Sequence, residues 1–190
     1  MNHPMKKLAF RTISAALRSQ VAGLSGEGFK QIFDKIDQHG IKEGVDKYGL
    51  DKYIEQCAVL AATTGAVSGS GGMFTMLIGV PVDMVNLVGQ QFRVTMAVMY
   101  SSRGNYRFGF EEFMQMIATS LKIETGMALT KNLLETVAER LLLMLGSKAA
   151  RRFVPIVGAV IGGATNYIFI KRVAARAKEI EFEGRVLIAM

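Results

Sequence analysis

Between Arg152 and Lys171 the chain carries no charge at all: Phe153-Val-Pro-Ile-Val-Gly-Ala-Val-Ile-Gly-Gly-Ala-Thr-Asn-Tyr-Ile-Phe-Ile170, with basic residues at both ends. Such a run must be taken out of water, either by protein or by lipid. It is about as long as a minimal bilayer span, yet it contains three glycines and an asparagine. Those residues suit a helix that packs closely on another helix better than one that faces lipid. A second uncharged, glycine-rich stretch runs from Cys57 to Val82.

The rest of the chain reads as helix. Apolar residues recur at helical spacing, and alternation of polar with β-branched residues is scarce. Residues 5–24 place Phe10, Ile13, Leu17, Val21 and Leu24 on one arc, and Phe29, Ile32, Phe33 and Ile36 repeat at i, i+3, i+4, i+7. The second of these helices is expected to stop near His39-Gly40, with a short helix over 41–48 ended by Gly49. A helix from Leu50 should run toward residue 72, weakening where Gly71 and Gly72 close a glycine cluster.

Pro81 suits the first turn of the next helix, 81–101, because its missing N–H has no partner there in any case. That helix carries Asp83, Asn86, Gln90 and Arg93 on one polar stripe, opposite Met84, Val85, Val88, Phe92, Met96 and Met99. Further helices are expected from about Gly109, carrying Phe113, Ile117 and Leu121, and over 125–145, carrying Leu133, Val137 and Leu141. The last begins at Pro155 and extends to about residue 182, leaving 183–190 as a tail. The expectation is an all-α fold, a single bundle of seven to nine helices over 1–190. Residues 50–72, 81–101 and 155–182 form its apolar centre.

Gly158, Gly162 and Asn166 recur every four residues on one face of the last helix. Two missing side chains admit a neighbouring backbone, and the asparagine can hydrogen-bond across the seam. The stripe of Asp83, Asn86 and Gln90 is the expected partner, since buried amides and carboxylates normally find one another. A buried polar network that fixes helix register is the plainer reading, and a ligand-binding or proton-handling site the sharper one.

Charge narrows the partners. The net charge is +7, and the basic residues cluster as Lys6, Lys7, Arg11 and Arg18, then Lys148, Arg151, Arg152, Lys171 and Arg172. Basic clusters beside apolar sequence suit an anionic membrane surface or a membrane protein. Nucleic acid fits less well, because basic and aromatic residues do not interleave as a stacking platform requires. The N-terminal helix expected over 1–26 lacks acidic residues, and Arg11 and Arg18 interrupt its apolar region, which makes it a poor match to a secretory signal. The lone Cys57, in apolar company, reads as a buried structural thiol.

Catalytic patterns are lacking. His3 and His39 have no companions at metal-ligand spacing, and Ser68-Gly-Ser-Gly-Gly72 is not followed by the lysine of a phosphate loop. Neither a cofactor nor a catalytic set is expected.

Two segments resemble the signatures of the EcsC family. The first is Gly65…Gly69…Gly71-Gly72, then Ile78-Gly-Val-Pro81-Val-Asp83, then Gln90 and Arg93 before Tyr100. The second is Lys148-Ala-Ala-Arg-Arg152, Val154-Pro155-Ile-Val-Gly158, Gly162 and Asn166-Tyr167, closing at Arg172. The likeness spans roughly residues 50–180; Asp83 stands where family members often have glutamate. It implies an all-helical, membrane-associated or membrane-proximal protein with no established enzymatic activity. The expected role is thus a non-enzymatic accessory protein on the cytoplasmic face of a bacterial inner membrane, peripheral or inserted as a hairpin. A soluble helical interaction protein and a colicin-like pore former are the alternatives.

Overall fold

The computed structural model describes residues 27–64, 82–121, 133–141 and 155–183, with the side chains of 64, 82–84, 155–162, 165 and 183 outside that description. All regular structure among these residues is helical. The helix predicted over 5–24, the glycine cluster with Gly71 and Gly72, Pro81, and the basic residues Lys6, Lys7, Arg11, Arg18, Lys148, Arg151 and Arg152 lie outside the described residues.

Helix α1, Glu27–Asp34, buries Phe29, Ile32 and Phe33, and Ile36 just beyond it is buried too. Glu27 in the first turn complements the positive end of the helix. Helix α2, Gln38–Tyr48, starts three residues earlier than the sequence suggests, so His39-Gly40 opens a helix instead of closing one. The reason is Asp37, whose side-chain Oδ1 accepts the Gly40 N–H at 3.0 Å and caps the first turn. Gly49 ends α2 as expected: at φ 80° it takes a backbone conformation that costs glycine little, and its N–H returns to the Val45 carbonyl at 2.8 Å.

Helix α3, Leu50–Thr64, follows at once. Helix α4, Val82–Arg103, is the pivot of the fold. From Val85 to Met99 every side chain is buried except those of Asn86 and Arg93, which are half-buried. A helix covered all round needs neighbours on all sides; α3 and α7 supply two of them, and α1 and α2 pack on it as well. A loop follows, in which the Gln38 side chain brackets Phe108, accepting its N–H at 2.9 Å and donating to its carbonyl at 3.4 Å.

Helix α5, Phe110–Ser120, is N-capped by the backbone of Gly109 without a side-chain bond. Helix α6, 133–141, buries Leu133, Leu134, Val137, Ala138 and Leu141. Helix α7, Pro155–Lys178, runs into a single π turn, Glu179–Glu183. Its buried face, Asn166, Phe169, Ile170, Val173, Ala174 and Ala177, belongs to the common core. The second half of the uncharged run is therefore buried against protein along this face.

Helices α3, α4 and α7 pack on one another, so the three longest described helices form the centre. On the other side of α4, Phe92 stacks edge-on to Phe113 at 4.8 Å and lies 5.9 Å from Phe29. Phe33 joins them through Phe113 and Phe110. This aromatic cluster ties α1, α4 and α5 together.

Candidate functional site: the seam between α3, α4 and α7

The polar residue of α7 does reach across a helix seam, but not to the expected partners. Asn166, with 4% of its surface exposed, donates from Nδ2 to the backbone carbonyl of Ala61 on α3 at 3.1 Å. The Asp83, Asn86 and Gln90 stripe takes no part in that bond; the side chain of Asp83 is outside the described residues. The close approach falls on Gly163: a Cβ there would stand 3.0 Å from the Ala62 carbonyl oxygen. Backbone oxygen cannot swing aside as a flexible side chain can. Gly158, Gly162 and Pro155 lie in α7, and what their side-chain positions touch is not described.

Gly163→Val should therefore push α3 and α7 apart and weaken the Asn166 bond. The expected loss is about 1–3 kcal/mol of unfolding free energy, read from the urea midpoint with an unchanged slope. An unaltered midpoint would mean that the two backbones are not this close in solution.

The polar stripe on α4 is real in part. Gln90, 8% exposed, donates to Asn86 Oδ1 at 3.4 Å, and its own Oε1 has no hydrogen-bond partner among the described residues. Arg93 is half-buried on α4, and its charge opposes the effect of burial on the Tyr53 hydroxyl and the Cys57 thiol of α3. Burial pushes the Cys57 thiol up to about 11, against a smaller opposing pull from Arg93. It stays protonated at neutral pH, an unreactive core thiol. Burial likewise raises the Tyr53 phenol far above its ordinary range.

Sequence reading missed Gln91 and Thr95. Both are fully buried on α4, and Gln91 Nε2 and Oε1 and Thr95 Oγ1 lack hydrogen-bond partners among the described residues. Their four-residue spacing places them on one face of the helix. That spacing is the one signal the sequence carried for them.

The outer side of the α3–α7 pair is held by ionic contacts. Glu55 accepts the Tyr167 hydroxyl at 2.7 Å and the Lys171 ammonium at 3.0 Å, and the two together hold its carboxyl below the usual range. Lys178 pairs with Asp51. Lys171 is thus partly neutralised, whereas Arg172 is exposed with no acidic partner among the described residues. Along the same two helices Val59, Leu60 and Ile168 are 46%, 49% and 44% exposed.

A second ionic knot also escaped sequence reading. Glu181, only 6% exposed, sits on the π turn and accepts two bonds from Arg103, one of them at 2.8 Å. Arg103 also reaches Glu112 on α5 at 2.5 Å, so one guanidinium joins the end of α4, the start of α5 and the end of α7. His39 is exposed; it meets Glu43 at 3.2 Å and the Tyr106 ring, with centroids 5.8 Å apart. Among the described residues, no three metal-ligating side chains gather.

These features define an all-helical bundle whose three central helices meet at a polar seam. No family model, no curated protein and no solved structure matches the chain.

Proposed function

We propose that this chain is an EcsC-like, non-enzymatic accessory protein that binds the cytoplasmic face of a bacterial inner membrane peripherally. The observation that carries the reading is one outer surface of the α3–α7 pair. Val59 lies one turn from Glu55, and Ile168 one turn before Lys171, the two residues that pair across the helices. Exposed Val59, Leu60 and Ile168 thus share a surface with Lys171 and Arg172. Both helices lead there into uncharged sequence, 65–82 and 153–162.

The magnitudes favour reversible binding. Full burial of an aliphatic side chain is worth about 1.5–3 kcal/mol, and a basic residue at an anionic surface about 1 kcal/mol. Three partly exposed apolar groups, Arg172 and the partly neutralised Lys171 support docking rather than permanent anchoring. No helix among the described residues is long and apolar enough to cross a membrane. The buried face of α7 from Asn166 to Ala177 favours a second reading, a soluble interaction protein that offers this surface to a helical partner.

Vesicle flotation separates the two. The expected result is flotation with phosphatidylglycerol vesicles at low salt, release at high salt, and loss of flotation in the Val59→Glu/Ile168→Glu double variant. Wild-type protein that stays at the bottom of the gradient with those vesicles would overturn the membrane reading and leave the soluble one.

A further inference from the structure

We infer, resting on the membrane docking proposed above, that Lys47, Tyr48 and Lys52 form a second contact on the same surface, seating the phosphate of an anionic phospholipid headgroup. Gly49 builds this corner. At φ 80° it ends α2 on Tyr48 and lets α3 begin at the next residue, with the Tyr53 N–H returning to the Gly49 carbonyl at 3.0 Å. The last residue of α2 thereby meets the first turn of α3. The Tyr48 ring is 41% exposed, with the Lys47 ammonium 5.0 Å and the Lys52 ammonium 5.6 Å from its centroid. Both lysines are exposed. The carboxylates nearest them in sequence are taken. Glu43 meets His39, Asp46 holds Lys42 and accepts the Tyr100 hydroxyl at 2.6 Å, Asp51 pairs with Lys178, and Glu55 with Lys171. Two ammonium groups thus share one exposed ring, and neither has a carboxylate partner among the described residues.

Placement joins this corner to the docking surface. Lys52 and Val59 are seven residues apart on α3, so they lie on one face, about 10 Å apart along the axis. Helix α7 runs antiparallel beside them, since Asn166 meets Ala61, Lys171 meets Glu55 and Lys178 meets Asp51. One end of the surface is therefore apolar, at Val59, Leu60 and Ile168, and the other is basic and aromatic. An acidic protein satisfies the two lysines. A layer of anionic headgroups over hydrocarbon satisfies the lysines and the apolar end together. Tyrosine suits that boundary, with its ring against the apolar side and its hydroxyl toward water. Lysine stems cover apolar surface while their ammonium groups reach the headgroups. An ammonium on an exposed ring is held only weakly, so it can leave the ring for a phosphate oxygen.

The chain contains no tryptophan, so Tyr48→Trp places a single indole fluorophore at the corner. Its emission is followed on phosphatidylglycerol vesicles, with and without lipid brominated high on the acyl chain. Partitioning onto the same vesicles is measured for wild type and for Lys47→Gln/Lys52→Gln. Each variant is first checked for an unchanged helical circular dichroism spectrum and melting curve. The expected result is a blue shift, quenching by the brominated lipid, and partitioning about thirtyfold weaker in the double lysine variant, with a shallower salt dependence. Should the double variant prove unstable, Lys52→Gln alone carries the comparison, at about fivefold. Partitioning unchanged by loss of the lysines overturns the phosphate contact and leaves docking to Val59 and Ile168. Weaker partitioning with unmoved emission overturns it too, because it reports attraction at a distance and no seating at the ring. A shift with soluble poly-glutamate and none with vesicles gives the corner to an acidic protein instead. Wild type that binds no vesicles removes the membrane reading, and the lipid role of the corner with it; wild type that binds while the corner is indifferent removes the corner alone.

Discussion

Phe92→Ala is expected to remove about 3–5 kcal/mol of stability, a large share of the total for a domain of this size. Phe92 has no exposed surface and stands between Phe29 and Phe113, with ring centroids 5.9 and 4.8 Å away. Removing the ring takes away its own transfer free energy and two aromatic contacts, and leaves a space bounded by three helices. Those helices cannot collapse into it freely, because α4 is fixed on its other sides by α3 and α7. Urea unfolding followed by circular dichroism should show the midpoint falling sharply with the slope preserved. Phe92→Leu should lose much less, since most of the volume is kept. A loss below about 1 kcal/mol for alanine would mean that the aromatic cluster is looser than described.

Arg103→Met is the second large effect, expected at about 3 kcal/mol. The cause is the group left behind. Glu181 is buried, and without Arg103 it keeps a carboxylate in low dielectric with neither of its two charge-assisted bonds. The figure is the low end of the range for broken buried pairs, because the Arg103 side chain is itself 31% exposed and lets water near. Replacing both partners, Arg103→Met with Glu181→Met, should recover much of the loss, since no charge is then stranded. A double-mutant cycle in urea measures the coupling directly. If the double variant is as unstable as Arg103→Met alone, the damage lies in packing and not in the stranded charge.

Periodicity told the sequence reader most where one face of a helix is apolar. Phe29, Ile32 and Phe33 on α1, and Phe113 and Ile117 on α5, are buried as their spacing predicts. The beginning of α2 was misplaced for a local reason: glycine at position 40 suggested an end, while the stronger signal was Asp37, an acceptor one residue before the helix. The seam was legible in kind but not in partner. Asn166 could be seen to need a hydrogen bond, and a side-chain partner looked natural. The acceptor proved to be the Ala61 carbonyl, a group that every residue possesses and that leaves no mark in a sequence. Arg103 and Glu181 were invisible for another reason. They stand 78 residues apart, and a surface arginine near a loop reads as solvated until the fold brings the carboxylate to it.

The α3–α7 pair has a consequence in time. Its ties join residues 105 to 127 positions apart, from Asn166 and Ala61 to Lys178 and Asp51. At ribosomal speed the second partner of such a tie emerges roughly 5–25 s after the first. For the latter half of that interval, once Arg103 has been added, α3 and α4 have been made while the helix that covers them has not. The nascent chain therefore carries Ala58, Ala61 and the flank of α4 uncovered for seconds, far longer than a helix needs to form. A protein that matures in this order has its core open to chaperones during synthesis, and α7 closes it.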